Sequence, residues 1–235
     1  MTRGWNLPAA ISRSGLRLSP TRCLAMLLLC FLVGSAQAAY NKDGGSVSGR
    51  FEYYVLTLSW SPAFCLESPM SAQCSGPRAF GFIVHGLWPQ NERGWPERCE
   101  RSRPPRYVVD SMLDLMPARG LIEHEWSTHG SCSGLDPQDY FRLVRTARAR
   151  VNPPTALSLA KLPIEESPEV LRQTFLKTNP ELRTDSLVIT CSGGSQPRLR
   201  EVRICLTRDL APRACSSEVL RGACRAKTLL IPPIR

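Results

Sequence analysis

The chain has 235 residues, a formal charge of +10, 43% hydrophobic residues and ten Cys. At about 150 residues per domain that length allows one domain or at most two small ones, and the apolar content supports a buried core, which excludes disordered and fibrous classes. The surplus charge rests on 26 Arg against 4 Lys; the planar guanidinium fork suits phosphate, so the charge balance fits a polyanionic partner.

Taken in chain order, residues 1–38 read as an export signal. Arg3, Arg13, Arg17 and Arg22 stand without any acidic residue, the apolar run Cys23 to Val33 follows, and Gly34-Ser35-Ala36-Gln37-Ala38 offers an A-x-A cleavage site. The run is 11 residues long, short of the ~20 that span a bilayer, and no other segment comes close, so no membrane association is expected. Removal of the segment leaves residues 39–235, a charge of +6 and eight Cys. An even set of Cys behind an export signal implies up to four disulfides in an oxidising compartment, periplasmic or extracellular.

After a Gly- and Ser-rich lead, Phe51 to Trp60 is a β-branched and aromatic run ended by Ser61-Pro62, and reads as a strand. Phe80 to Val84 is a second, shorter strand, which puts His85 at or just past a strand end, where catalytic side chains are common. Asn91 to Arg106, rich in Pro, Gly and Arg, reads as a long surface loop, and Tyr107 to Met116 as a short helix. Leu121 to Gly130 is a helix that stops at glycine, with Glu125 and His129 one turn apart on a shared face. Asp136-Pro137-Gln138-Asp139 supplies an N-cap, a first-turn Pro and an acidic third position for a helix to Arg150. Ser167-Pro168-Glu169 opens another helix that closes near Asn179-Pro180. Strand-like runs follow at Leu187 to Cys191, Glu201 to Leu206 and Lys227 to Ile231. Strands and helices interleave without a regular βαβ period, so the expected fold is α+β: a central antiparallel sheet flanked by helices in one disulfide-stapled domain.

All three His lie in two short segments, His85 in one and His124 and His129 in the other. Two imidazoles and a carboxylate, Glu125, supply an acid, a base and a supporting group that work near pH 5 to 7. A zinc protease needs His-Glu-x-x-His on one helix; here the two His are five apart, about 140° around the helix. A nucleophilic Cys is disfavoured because even numbers of Cys in an exported chain are normally bridged, and no Gly-x-Ser-x-Gly elbow is present.

Phe82-Ile-Val-His-Gly-Leu-Trp-Pro89 and His124-Glu-Trp-Ser-Thr-His-Gly-Ser-Cys132 resemble the two active-site segments of the ribonuclease T-two family, exported, acid to neutral, base-nonspecific endoribonucleases. Tyr54 to Cys65 resembles that family's opening strand, and Glu201 to Leu206 its C-terminal strand. The resemblance implies cleavage of single-stranded RNA through a 2′,3′-cyclic phosphate, followed by slower hydrolysis to a 3′-phosphate. By motif position His129 takes the 2′-hydroxyl proton, His85 protonates the leaving 5′-oxygen, His124 binds phosphate and Glu125 supports the charged transition state. No cofactor or metal is implied, because the nucleophile belongs to the substrate. The expected partner is single-stranded RNA alone, bound by a monomer with no obligatory protein partner.

The resemblance also implies the bridges Cys65–Cys74, Cys99–Cys132, Cys191–Cys224 and Cys205–Cys215, out of 105 possible pairings. Trp88 and Trp95 are the candidates for base stacking, which is worth ~1–3 kcal/mol per base, and Trp126 is assigned to the core. One departure stands out: the family usually carries Lys immediately before the second-motif His, and this chain has Thr128. Loss of a preorganised donor costs about 10²–10³ in rate, so either a nearby Arg substitutes, or the chain is a weakened, RNA-binding relative.

Overall fold

A computed structural model describes residues 46–234; the export signal expected at residues 1–38 lies outside the described residues. The central sheet has four antiparallel strands in the order β2-β1-β5-β4: β1 is Tyr53–Trp60, β2 Phe82–Gln90, β4 Leu187–Cys191 and β5 Leu199–Leu206. Short strands β3 (Ile164–Glu166) and β6 (Leu229–Ile231) pair separately. The eight helices of the described residues are α1 (Ser61–Glu67), α2 (Ala72–Ser75), α3 (Arg106–Ser111), α4 (Arg119–Thr128), α5 (Pro137–Ala149), α6 (Thr155–Leu159), α7 (Pro168–Thr178) and α8 (Ser217–Arg221), with a 3₁₀ turn at Gly130–Cys132 after α4 and another at Thr184–Ser186 before β4. The architecture is the expected α+β domain, and the four bridges form as the resemblance implied: Cys65–Cys74, Cys99–Cys132, Cys191–Cys224 and Cys205–Cys215.

Because side chains alternate along a strand, β1 serves two layers. Tyr54, Leu56, Leu58 and Trp60 face the main core, where Ile122 and Trp126 of α4, Tyr140, Phe141 and Val144 of α5, and Leu171 and Phe175 of α7 cover the sheet. Tyr53 and Val55 belong instead to a small cluster with Val188, Cys205 and Val219 on the opposite face. That second face is only partly covered, as antiparallel sheets permit, and it carries the polar side chains Thr57, Glu201 and Arg203.

Several elements differ from the sequence expectation: the helix expected at Tyr107 to Met116 ends at Ser111, and α2, α6, β3 and α8 have no counterpart in it. Strand β2 does not stop at Val84; it runs on through Pro89 to Gln90, paired with β1 as far as Tyr53. The position of β2 at the sheet edge explains the tolerance of Pro89, since an edge strand leaves one row of backbone groups without sheet partners. His85 therefore lies inside a strand, at a bulge: Gly86 pairs with Thr57 and Val84 with Leu58, leaving His85 without a partner of its own. Bulges re-aim side chains and recur beside active sites. Ser61-Pro62 ends β1 as expected but also opens α1, with Pro62 in the first turn where its missing N–H costs nothing.

Helix α5 starts as read, with the Asp136 side chain accepting the Asp139 N–H at 2.8 Å, and α7 starts with Ser167 accepting the Val170 N–H. Gly130 closes α4 for a packing reason and not by a left-handed turn: a Cβ there would sit 2.6 Å from the ring of Tyr140 and 2.8 Å from that of Trp126. The Tyr140 hydroxyl in turn donates to the Leu87 carbonyl at 2.9 Å, so this glycine lets α5 pin β2. Gly130→Ala is expected to destabilise the fold by about 1–3 kcal/mol through overpacking, read as a lower denaturation midpoint at unchanged m-value.

Candidate active site

The bulge turns His85 toward β5, across β1. Its Nδ1 lies 2.8 Å from Oε1 of Glu201, and its Nε2 lies 3.4 Å from Oε1 of Glu125. Both carboxylates are buried, with side chains 4% and 1% exposed. Glu201 is held from its other oxygen by Arg203, whose Nε and Nη2 donate at 3.0 and 2.7 Å. Glu125, from the middle of α4, accepts the Trp88 indole N–H on Oε2 at 2.7 Å, while its Oε1 is buried with no hydrogen-bond partner among the described residues. Gly86 makes this approach possible, since a Cβ there would run into the Glu125 carboxylate and the Trp88 indole nitrogen.

His129 caps α4 and packs its ring on Trp88, 5.2 Å between centroids at 34°. On the other side Trp88 meets His85 edge-on, also at 5.2 Å. The indole is thus a spacer between the two imidazoles, and Arg203 adds a cation 5.3 Å from its ring centroid. A cleft of about 370 Å³ opens here, lined by Trp88, Trp95, Thr128, His129 and Arg203 among others.

The surroundings drive the two imidazoles apart in proton affinity. Burial pulls His129 down, and the positive charges of His124, His85 and Arg98 pull the same way, to about 4. Its Nδ1 is buried without a hydrogen-bond partner among the described residues. Burial also pulls on His85, but the Glu201 hydrogen bond and the charges of Glu125 and Glu201 outweigh it against the opposing Arg203, and hold its pKa above the ordinary value. Glu125 is pushed up to about 7 by burial, against the pull of His85 and Trp88. Glu201 goes to about 2: burial raises it, and the bonds and charges of His85 and Arg203 overcome that. Near pH 6 one imidazole is neutral and the other cationic, as acid–base chemistry across a short gap requires.

Residues 51–215 match the Ribonuclease T2 family. The chain belongs to that family. It is 39% identical over 138 residues to a ribonuclease of Aeromonas hydrophila, covering 58% of this chain and 60% of that protein. It is 36% identical over 115 residues to a probable ribonuclease of Haemophilus influenzae, covering 42% of each. The chain therefore spans two-fifths to three-fifths of the length of these relatives. Among solved structures it shares its fold with an RNase-related protein from Calystegia sepium, with a TM-score of 0.64 at 20% identity over 78% of this chain and 98% of that one.

Within this Ribonuclease T2 domain the remaining expected residues fall at different places. Thr128 is buried beside His129, and its carbonyl accepts the Arg98 N–H at 2.9 Å. Trp95 is 49% exposed and lines the same cleft. His124 is exposed on α4, near enough to His129 to depress it. Trp126 is fully buried. The Cys99–Cys132 bridge joins the Arg-rich loop to the 3₁₀ turn directly after His129. Sequence reasoning missed Glu201 and Arg203 as site residues. Their signal was a pair of opposite charges two apart in an otherwise apolar strand, hence on one face of it.

Proposed function

We propose that this chain is an exported endoribonuclease that cleaves single-stranded RNA by transphosphorylation, with His129 as base and His85 as acid. The observation that carries this reading is the pair of imidazoles 5.2 Å either side of Trp88, one buried neutral and the other held protonated by two carboxylates. Neutral His129 accepts the ribose 2′-hydroxyl proton as O2′ bonds to phosphorus. The P–O5′ bond breaks and His85 delivers its proton to the departing oxygen, leaving a 2′,3′-cyclic phosphate. Water then repeats the displacement with the two His in exchanged roles, giving the 3′-phosphate. The nucleophile is the substrate's own hydroxyl, so the scheme calls on no metal.

Arg203 is the cation best placed to meet the charge that builds on phosphorus, and takes the role of the missing Lys. It lines the cleft with His129 and Thr128 and is about one-quarter exposed. His124 and the exposed Arg-rich loop add positive charge for the RNA backbone, with binding that weakens as salt rises. Trp88 is engaged by its neighbours, which leaves Trp95 as the surface for a stacked base. Four disulfides agree with an oxidising destination and with removal of residues 1–38 on export.

The test is single-turnover cleavage of a short RNA in chelator between pH 3.5 and 8.5, with the product ends identified, for the natural chain and Thr128→Lys. The expected rate rises through about pH 4 as His129 loses its proton and falls above the ordinary imidazole range as His85 loses its own. The alkaline limb belongs to the His85, Glu125 and Glu201 cluster as a whole. A cyclic product in chelator supports the scheme. Loss of activity in chelator overturns it in favour of a metal-dependent nuclease. RNA binding without cleavage, restored by Thr128→Lys, supports the weakened binding protein.

A further inference from the structure

A second cleft, of about 270 Å³, adjoins His85 on the side away from His129's cleft, and its walls include Arg198, Arg200, Phe64 and Ser192. Two features set it apart from ordinary surface. Arg200 sits at the sheet's other bulge: Thr190 pairs with Glu201 and Cys191 with Leu199, so Arg200 has no partner across the ladder. The bulges at His85 and Arg200 thus send an imidazole and a guanidinium to one cleft, across the central strand that separates their own. Arg198, which also borders a neighbouring cleft, is half-buried, with its Nε shielded from solvent and without a hydrogen-bond partner among the described residues. Its backbone is fixed from both sides by Ser192, whose hydroxyl accepts the Arg198 N–H at 3.0 Å and whose own N–H donates to the Arg198 carbonyl at 2.9 Å. Among the described residues neither guanidinium takes part in an ion pair, whereas the other cleft-lining Arg, Arg203, is bound to Glu201.

A guanidinium without a carboxylate partner is matched by a phosphate oxygen, whose geometry its fork fits. The carboxylates of the cleft do not fill that role. Glu201 is taken up by His85 and Arg203, and Glu67 is exposed. Phe64, 39% exposed, adds an apolar wall suited to a nucleoside.

We propose that this cleft is a phosphate subsite for the 3′ side of the leaving nucleoside, with Arg198 and Arg200 as its cations. The assignment rests on the reading of His85 as donor to the leaving 5′-oxygen. If His85 faces the leaving group, the chain downstream of the cut must pass His85 and enter the cleft next to it. The phosphate that follows the leaving nucleoside then meets the two guanidinium groups. The preferred substrate is accordingly an RNA that continues beyond the nucleoside after the cut, and not a bare dinucleoside monophosphate.

The experiment compares kcat/KM of the purified protein, in chelator at pH 6, for a dinucleoside monophosphate, the same compound with a 3′-terminal phosphate, and the same compound with a 5′-terminal phosphate. The 3′-phosphate is expected to raise kcat/KM about tenfold or more, the scale of a charge-assisted hydrogen bond, and the 5′-phosphate much less. Arg198→Ala and the more exposed Arg200→Ala should each bring the ratio of 3′-phosphorylated to unphosphorylated substrate toward one. A ratio near one in the natural chain overturns the subsite. So do equal gains from the two phosphates, or a ratio unchanged in both variants. Failure to cleave any of the three compounds, or any longer RNA, instead overturns the nuclease reading itself.

Discussion

His129→Ala is expected to slow the chemical step by about 10²–10⁴, the contribution of a positioned general base, while RNA affinity stays close to that of the natural chain. The separation of the two effects follows from charge. At pH 6 His129 is neutral because burial and the neighbouring cations hold it at about 4, so its removal takes no positive charge from the cleft. His85→Ala differs in this respect: it removes a cation and leaves Glu201 with Arg203 as its remaining partner. Single-turnover cleavage gives the first quantity and fluorescence anisotropy with an uncleavable 2′-deoxy strand the second. A rate loss under tenfold would remove His129 from the base role, and a parallel collapse of binding would point to misfolding.

Glu201→Gln is expected to lower the alkaline limb of the rate profile by about one pH unit or more, since a carboxylate in contact holds a cationic partner protonated on that scale. The amide keeps the shape of the side chain and its contact with His85 Nδ1, 2.8 Å in the natural chain, but removes the charge that favours imidazolium. His85 then loses its proton at lower pH, so the variant falls behind the natural chain by about tenfold on the descending limb for a displacement of about one pH unit. The deficit shrinks as the pH falls and the imidazole regains its proton. A residue of purely structural importance would lower the rate equally at all pH values, and such a uniform loss would count against a positioning role. Stability carries its own signature. Glu201 is held at about 2 against an ordinary 4.5, so its contribution is full above the unfolded value and is lost as pH falls through the folded one. The Gln variant lacks that part of the acid transition.

Much of this was legible in the sequence, and the part that was not has a common cause. Helices α5 and α7 follow from local capping chemistry, with Asp136 and Ser167 each bonding an N–H three residues on. The concentration of His into two segments pointed to the reacting groups because a short helix brings Glu125 and His129 to one face without help from the rest of the chain. Glu201 and Arg203 escaped because their partners lie far away in sequence, 116 residues in the case of His85. The reach of β2 past His85 escaped for a related reason. A strand's end is set by the partner that pairs with it, and Pro89 is a stop signal everywhere except at a sheet edge. Trp88 read as a stacking surface because its indole N–H gives no sign in sequence that a glutamate from α4 will accept it.

Strand β1 supplies none of the proposed reacting groups, yet their assembly depends on it. His85 belongs to the strand on one flank of β1 and Glu201 to the strand on the other, so the contact between them spans the strand that separates their own. The β1–β2 pair, joined through α1 and α2, can close before β5 arrives, but it presents a histidine with only half its environment. The remaining half arrives with β5, more than a hundred residues later, and such distant pairings are the slow part of folding. An N-terminal fragment would thus carry all three histidines and still lack the proton balance they need, and during refolding the return of turnover would mark the moment at which the sheet is complete.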